Sequence, residues 1–241
     1  MKMIHVSAIA TGIVLLVGIL MVIPPYVKPH SSKVFLLSFS VLDDVEQSWC
    51  DDLASTIKKY NVEVTIFFSG KTAEKNPKCV KAFPDNIDIG SQMYHYVSLA
   101  SISDYTKKLE EIQQGKKAVD IAGNLNSKLF KAPYGTTDDN IYSLLTRSNI
   151  IADFSYTDQY NKYYDGKFIK FELESYDGQN YTPDFFHNLN TDEPIVINFD
   201  SSVPVNYIDN FISKMKSHNT YLIDASELTG LPLTIRNGGM L

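Results

Sequence analysis

Short apolar runs alternate with helically spaced segments from residue 34 to residue 223, and no other feature restricts the fold so tightly. Residues 34–39 (VFLLSF) read as a buried strand. Residues 46–60 place Trp49, Leu53 and Ile57 at spacing four, which is one face of a helix. Residues 62–68 (VEVTIFF) are β-branched and aromatic and read as a second strand. A short third strand at 87–89 precedes Gly90, and a helix covers 103–121 with Ser103 as its N-cap. Residues 129–131 lead into an Ala132-Pro133-Tyr134-Gly135 turn. Further helices are expected at 138–148, 182–189 and 205–217, and further strands at 150–155, 168–173, 195–199 and 220–223. Strands separated by helices pair in parallel, so the fold class is α/β. Roughly seven strands suit either a barrel or an open sheet, and periodicity does not choose between them.

The composition excludes several classes. The 241 residues are 44% hydrophobic and 21% charged, unlike a disordered or collagen-like chain. There are 22 basic against 28 acidic side chains, a net charge of -6, and no basic cluster, so nucleic acid is not an expected partner. Two cysteines are too few for a disulfide scaffold or a four-cysteine zinc site.

Much of the apolar content sits at the N-terminus. Residues 6–23 (VSAIATGIVLLVGILMVI) carry no charge. Such a helix is roughly 27–30 Å long, close to the hydrocarbon thickness of a bilayer. Gly12 and Gly18 are tolerated in a membrane helix, and Pro24 and Pro25 end it. The segment reads as an uncleaved transmembrane anchor. The alternatives are a buried core helix and a cleaved signal peptide, but for the latter Ile23-Pro24-Pro25-Tyr26-Val27 is a poor cleavage site. Lys2 on one side and Lys28 and Lys33 on the other leave the positive-inside rule nearly balanced. Residues 1–32 are thus the anchor and linker, with the membrane as partner, and residues 33–241 are one domain. A single sequon, Asn180-Tyr181-Thr182, adds little.

Five segments of the domain, in order, resemble the polysaccharide deacetylase family, the NodB homology domain of carbohydrate esterase family four. Leu37-Ser38-Phe39 stands where the family has its LTFDDG strand. Residues 58–70 (KKYNVEVTIFFSG) are similar to KKYNVKATFFVxG. Residues 88–99 (DIGSQMYHYVSL) are similar to EIGNHTYSHPDL, residues 130–135 (FKAPYG) to FRPPYG, and residues 195–200 (IVINFD) to a late strand ending in Leu-His. The resemblance implies a distorted (β/α) barrel of seven or eight strands. It also implies an extracytoplasmic protein acting on acetylated glycans, with a divalent metal such as zinc as cofactor.

The residues that carry that chemistry depart from the family's pattern. Its metal is held by an Asp and two His, a second Asp is the general base, and a late His is the general acid. Asp88-Ile89-Gly90 sets the register of the histidine pair, which puts Gln92 and Tyr96 at the ligand positions. An amide is a weak donor and a phenol titrates near 10, so neither suits zinc. His95 is one step off, and in an extended segment that step turns a side chain the other way. The aspartate pair has three registers: Ser40 and Val41, Leu42 and Asp43, or Asp43 and Asp44. The arginine of the fourth motif is Lys131, which keeps charge without the bidentate fork. Phe199 stands where the acid histidine belongs, and Asp200 follows it. His30, His187 and His218 are expected at the surface.

The expectation is a degenerate member without retained metal ligands, serving glycan binding or a structural role. Gln92, Tyr96, Lys131, Tyr134 and Phe199 are its expected groove. The first alternative is an active deacetylase or hydrolase with a site rebuilt from Asp43, Asp44, His95 or Asp200. The second is an accessory subunit of a membrane complex. An oxidising exterior also allows a Cys50–Cys79 bridge, with two separate buried thiols as the alternative.

Overall fold

The computed structural model describes residues 33–135, 137, 141–155, 169–170, 174–178, 194–218 and 220–237. The expected anchor, His30, the helix at 182–189, His187 and the sequon lie outside those residues. Among the described residues no helix is long and apolar enough to cross a membrane.

The first strand, β1 (Val34–Val41), is buried along its whole length. It is followed by α1 (Gln47–Tyr60) and β2 (Thr65–Phe68). Two short helices, α2 (Gly70–Lys75) and α3 (Pro77–Lys81), lead to β3 (Asp88–Ser91). Then come α4 (Tyr105–Gly123), β4 (Leu125–Ser127), β5 (Leu129–Phe130), α5 (Ile141–Arg147) and β6 (Ala152–Asp153). The remainder is β7 (Ile169–Lys170), β8 (Glu174–Asp177), β9 (Ile195–Asp200), α6 (Val205–Ser217), β10 (Tyr221–Ile223), α7 (Ala225–Thr229) and β11 (Thr234–Arg236).

The main sheet runs in the order β7-β6-β5-β3-β2-β1-β9-β8, and every pairing in it is parallel. It is a parallel half-barrel of the NodB-like α/β type. Strand β9 pairs with β1 over Phe35 to Ser40 on one edge. Strand β2 pairs over Ser38 to Val41, so β10, which pairs at Val34 to Leu36, must share the edge of β2. A separate antiparallel ribbon joins β4 to β11.

Alternation along the strands divides the core. Phe35, Leu37, Phe39 and Val41 of β1 pack with Leu53 and Ile57 of α1 and Ile208, Phe211 and Ile212 of α6. Val34 and Leu36, on the opposite face, pack with Phe67, Leu129, Ala152 and Val196 of other strands. Helices therefore cover one face, and the other face curls on itself. Cys50 of α1 and Cys79 of α3 are disulfide-bonded with Cα atoms 5.3 Å apart, which ties two helices of the covering layer.

Several boundaries differ from expectation. The cap of α4 is Asp104, not Ser103: its carboxylate accepts from the amides of Thr106 (2.8 Å) and Lys107 (3.2 Å). A carboxylate beside the positive helix end outcompetes a hydroxyl one residue earlier. Strand β2 begins at Thr65, three residues after the expected start, because β1 and β3 offer it partners only from there. The ribbon, β8, α2, α3 and α7 are additional elements.

Candidate functional site

The register of β1 against β9 builds a polar surface on the inner face. Ser38 lies opposite Asn198 and Ser40 opposite Asp200, so two side chains from each strand point the same way. Lys131, which follows β5, reaches across the sheet to them. Its Nζ donates to Ser38 Oγ at 3.0 Å and to Asn198 Oδ1 at 2.8 Å, and lies 5.7 Å from the centre of the Phe67 ring. Lys131 is only 4% exposed. Burial pushes its ammonium down to about 7, against the attraction of Asp200. An amine in that range exchanges its proton near neutrality.

Two tyrosines lie toward the carboxyl ends of the strands. Tyr134 N–H donates to Tyr96 Oη at 3.4 Å, and the two rings are 4.9 Å apart. Tyr134 is 61% exposed and holds φ 58°, a left-handed backbone that a bulky side chain rarely adopts. Burial raises the Tyr96 phenol, so it stays protonated, and the charge of Asp200 adds to the shift. Asp200 thus acts electrostatically on both Lys131 and Tyr96. Its Oδ1 also accepts from Ser202 N–H (2.8 Å) and from the Ser202 hydroxyl. Asp43 joins the same neighbourhood, since its Oδ1 accepts from Tyr96 N–H at 3.2 Å.

Three other expected residues do not join it. Asp44 is held by Lys71 and Lys75, each at 2.7 Å. These partners, Lys71 first, lower its carboxyl to about 2. His95 turns to Glu111 of α4, with Nδ1 3.0 Å from Oε1 and its amide donating to Oε2 at 2.9 Å. Phe199 was expected in the groove and instead belongs to the helix-covered core. It is 2% exposed, stacks on Phe39 at 5.6 Å and meets Phe211 edge-on at 5.1 Å. It shares the face of Ile195 and Ile197, and this period-two signal was available in IVINF. His218 is exposed, as expected. Asn198 is a site residue that motif matching passes over; its signal is its position two before Asp200 in the same strand.

The residues at this mouth do not fit a divalent metal. Among the described residues no three His, Cys, Asp or Glu side chains are placed to share an ion. Gln92 is fully buried, with Nε2 donating to the Phe67 carbonyl at 2.8 Å and facing the Val41 carbonyl at 3.5 Å. Its Oε1 has no hydrogen-bond partner among the described residues. The phenol of Tyr96 remains neutral, and neutral phenols are poor ligands. What the mouth offers is a recessed cationic amine, a carboxylate, amide and hydroxyl groups, and an aromatic pair with one face in water. Such a set can hydrogen-bond a polyhydroxylated ligand and stack on its apolar face.

No curated protein matches the chain. Among solved structures, the Bc1960 peptidoglycan N-acetylglucosamine deacetylase is 18% identical, with 85% of this chain and 92% of that chain covered and a TM-score of 0.62. The peptidoglycan deacetylase PdaC from Bacillus subtilis is 15% identical, with coverages of 83% and 91% and a TM-score of 0.59. BA3943, a CE4 family pseudoenzyme from Bacillus anthracis, is 14% identical, with coverages of 80% and 64% and a TM-score of 0.57. At these identities the likeness speaks for the fold. The family model for polysaccharide deacetylases matches residues 28–151, just over half of the sequence. With five motifs in order on a NodB-like sheet, this chain belongs to the polysaccharide deacetylase family.

Proposed function

We propose that the chain is a membrane-anchored, extracytoplasmic deacetylase-like domain that binds glycan without hydrolysing it. One observation carries the reading: Lys131, Ser38 and Asn198 close a hydrogen-bonded set across the inner face that contains neither a carboxylate nor an imidazole. A neutral phenol and a buried amide stand at the two ligand positions, and Asp44 and His95 are engaged elsewhere. The exposed Tyr134 ring against Tyr96 supplies a stacking surface for a sugar. The uncharged residues 6–23 supply the anchor. The Cys50–Cys79 bridge fits an oxidising exterior.

The test uses the full chain in detergent. It is expected to retain acetylated glucosamine oligomers on a glycan array with and without a chelator, and to release no acetate from them. Acetate release that disappears in Asp43→Ala overturns the reading and favours the rebuilt hydrolase. A chain that neither retains glycan nor releases acetate leaves the complex-subunit role as the surviving one.

A further inference from the structure

The loop that carries Tyr96 is fixed from behind by α4. Strand β3 ends at Ser91, so whatever sets residues 92–95 also sets where the Tyr96 ring stands. These residues find backbone partners outside any strand. The amides of Gly70 and Lys71, at the start of α2, donate to the carbonyls of Met93 (3.0 Å) and Tyr94 (2.8 Å). Successive amides then run into acceptors from elsewhere in the chain. Tyr94 N–H donates to the Glu111 backbone carbonyl at 2.8 Å and His95 N–H to Glu111 Oε2 at 2.9 Å. Tyr96 N–H donates to Asp43 Oδ1 at 3.2 Å. The His95 ring adds a further contact, with Nδ1 3.0 Å from Glu111 Oε1. A carboxylate there selects the tautomer that carries its proton on Nδ1.

The sequence of α4 allows this approach. Glu111 and Gly115 are four residues apart and share one face of the helix. A Cβ on Gly115 would lie 2.4 Å from the Gln92 carbonyl oxygen, 2.6 Å from the Met93 carbonyl carbon and 2.8 Å from the Tyr94 nitrogen. Those are backbone atoms, so only glycine lets the loop lie against the helix at that point. Gly70 makes the same room from α2: a Cβ there would lie 2.6 Å from the Gly115 Cα and 2.9 Å from the Tyr94 Cα. With the loop this close, both the carbonyl and the carboxylate of Glu111 reach it. The helix is itself anchored in two apolar clusters, through Leu109 and Ile112 in one and Val119 and Ala122 in the other.

Given the binding role proposed for the Tyr96–Tyr134 pair, we propose that Glu111 is the positioning residue of the mouth: its carboxylate, through the amide and imidazole of His95, holds Tyr96 against Tyr134 and preorganises the surface that takes a glycan. Glu111 does not touch the ligand and acts only through its neighbours. Tyr96 Oη accepts from Tyr134 N–H at 3.4 Å and the two rings are 4.9 Å apart, so a displaced Tyr96 also releases the turn that presents Tyr134. Without the carboxylate, glycan binding would have to order residues 94–96 as it occurs, and that ordering weakens affinity.

Hydrogen exchange and glycan retention by the full chain in detergent test this together. Glu111→Ala is expected to speed exchange of the 94–96 amides at least about tenfold, while peptides of β3 and α1 stay protected. It is also expected to weaken retention of acetylated glucosamine oligomers about tenfold. Glu111→Gln keeps an acceptor for the His95 amide and offers its NH2 to an unprotonated Nδ1, and is expected to restore both readouts. Should Glu111→Ala fold poorly, His95→Ala removes only a half-exposed ring and is expected to give a smaller loss of retention at the parent's melting temperature. Exchange at 94–96 that is unchanged in Glu111→Ala, or that rises in step with β3, overturns the proposal. So does a Glu111→Gln chain that behaves like Glu111→Ala, or faster exchange with the parent's retention. A parent chain that retains no glycan withdraws the binding role, and the exchange arm then decides the placement of Tyr96 by itself.

Discussion

The two ends of one sheet bury ionisable groups of opposite kind. At the carboxyl ends of the strands Lys131 is sealed among a serine, an amide and a phenylalanine ring, and loses affinity for its proton. At the amino ends Asp88 and Asp224 are buried where residues 224–236 cross the strands, and gain affinity for theirs. Desolvation is the leading cause in both places. The sign differs only because it penalises an ammonium in one and carboxylates in the other. The ends also differ in what fills them. The closed end holds a buried leucine, whereas the mouth keeps a tyrosine ring in water.

The largest expected effect breaks the closed end alone. Leu233→Ala removes a fully buried side chain from a cluster that also contains Phe67, Leu129 and Ile223. It should cost about 2–5 kcal/mol in denaturant unfolding. Tyr134→Ala at the mouth leaves that midpoint nearly unchanged. Equal losses in the two variants would mean the ends are not distinct.

Next is the charge at the mouth. Lys131 has a folded value of about 7 against an ordinary 10.5, so it is protonated in both states below pH 7 and the folded chain carries the desolvation cost there. That cost is relieved as pH rises from about 7 to about 10.5. Lys131→Met should therefore stabilise the chain at pH 6 by about 1–4 kcal/mol. The lost hydrogen bonds to Ser38 and Asn198 offset part of that gain. The variant should also flatten the alkaline limb of a melting-temperature profile. A gain equal at pH 6 and pH 9 would show that packing, not charge, is responsible.

The closed end predicts the mirror image. Asp224 is raised from 3.8 to about 7, so its contribution is complete below pH 4 and is lost as pH climbs toward 7. With Lys131 rising above 7, the two groups together put a minimum near neutrality into the stability profile. Asp224→Asn should shrink the acid limb, to which Asp88 also contributes, and leave the alkaline one, as followed by thermal melts across pH 4 to 9.

These contrasts are unevenly legible in the sequence. The strand β1 and the helix α6 carry clear periodicities, and α6 matches residues 205–217 at both ends. The ribbon of β4 and β11 leaves no signal, because Leu125-Asn126-Ser127 has no apolar alternation and its partner lies more than a hundred residues away. The mouth is half legible. Motif order locates Gln92, Tyr96, Lys131 and Tyr134, but which face a residue takes depends on register between β1 and β9. Phe199 shows the consequence: aligned to a catalytic position, it instead follows the outward alternation of its own strand. The acid cluster at the closed end is invisible, since Glu63, Asp88, Asp224 and Glu227 meet only after the chain has folded.

The smallest expected effect separates stability from binding at the mouth. The Tyr134 ring is mostly in water whether the chain is folded or not, so removing it forfeits little burial. Its left-handed backbone, however, disfavours the folded state by about 1 kcal/mol. Glycine adopts that conformation freely, although it also gains freedom when unfolded. Tyr134→Gly should therefore leave stability within about 1 kcal/mol of the parent, on the favourable side if strain dominates. If the ring exists to stack on a sugar, the same variant loses glycan retention, since its 61% exposure is what makes it available. A strained, exposed aromatic whose removal costs neither folding nor glycan retention would leave the left-handed turn without a functional account, and the binding site would then have to be sought away from Tyr96 and Tyr134.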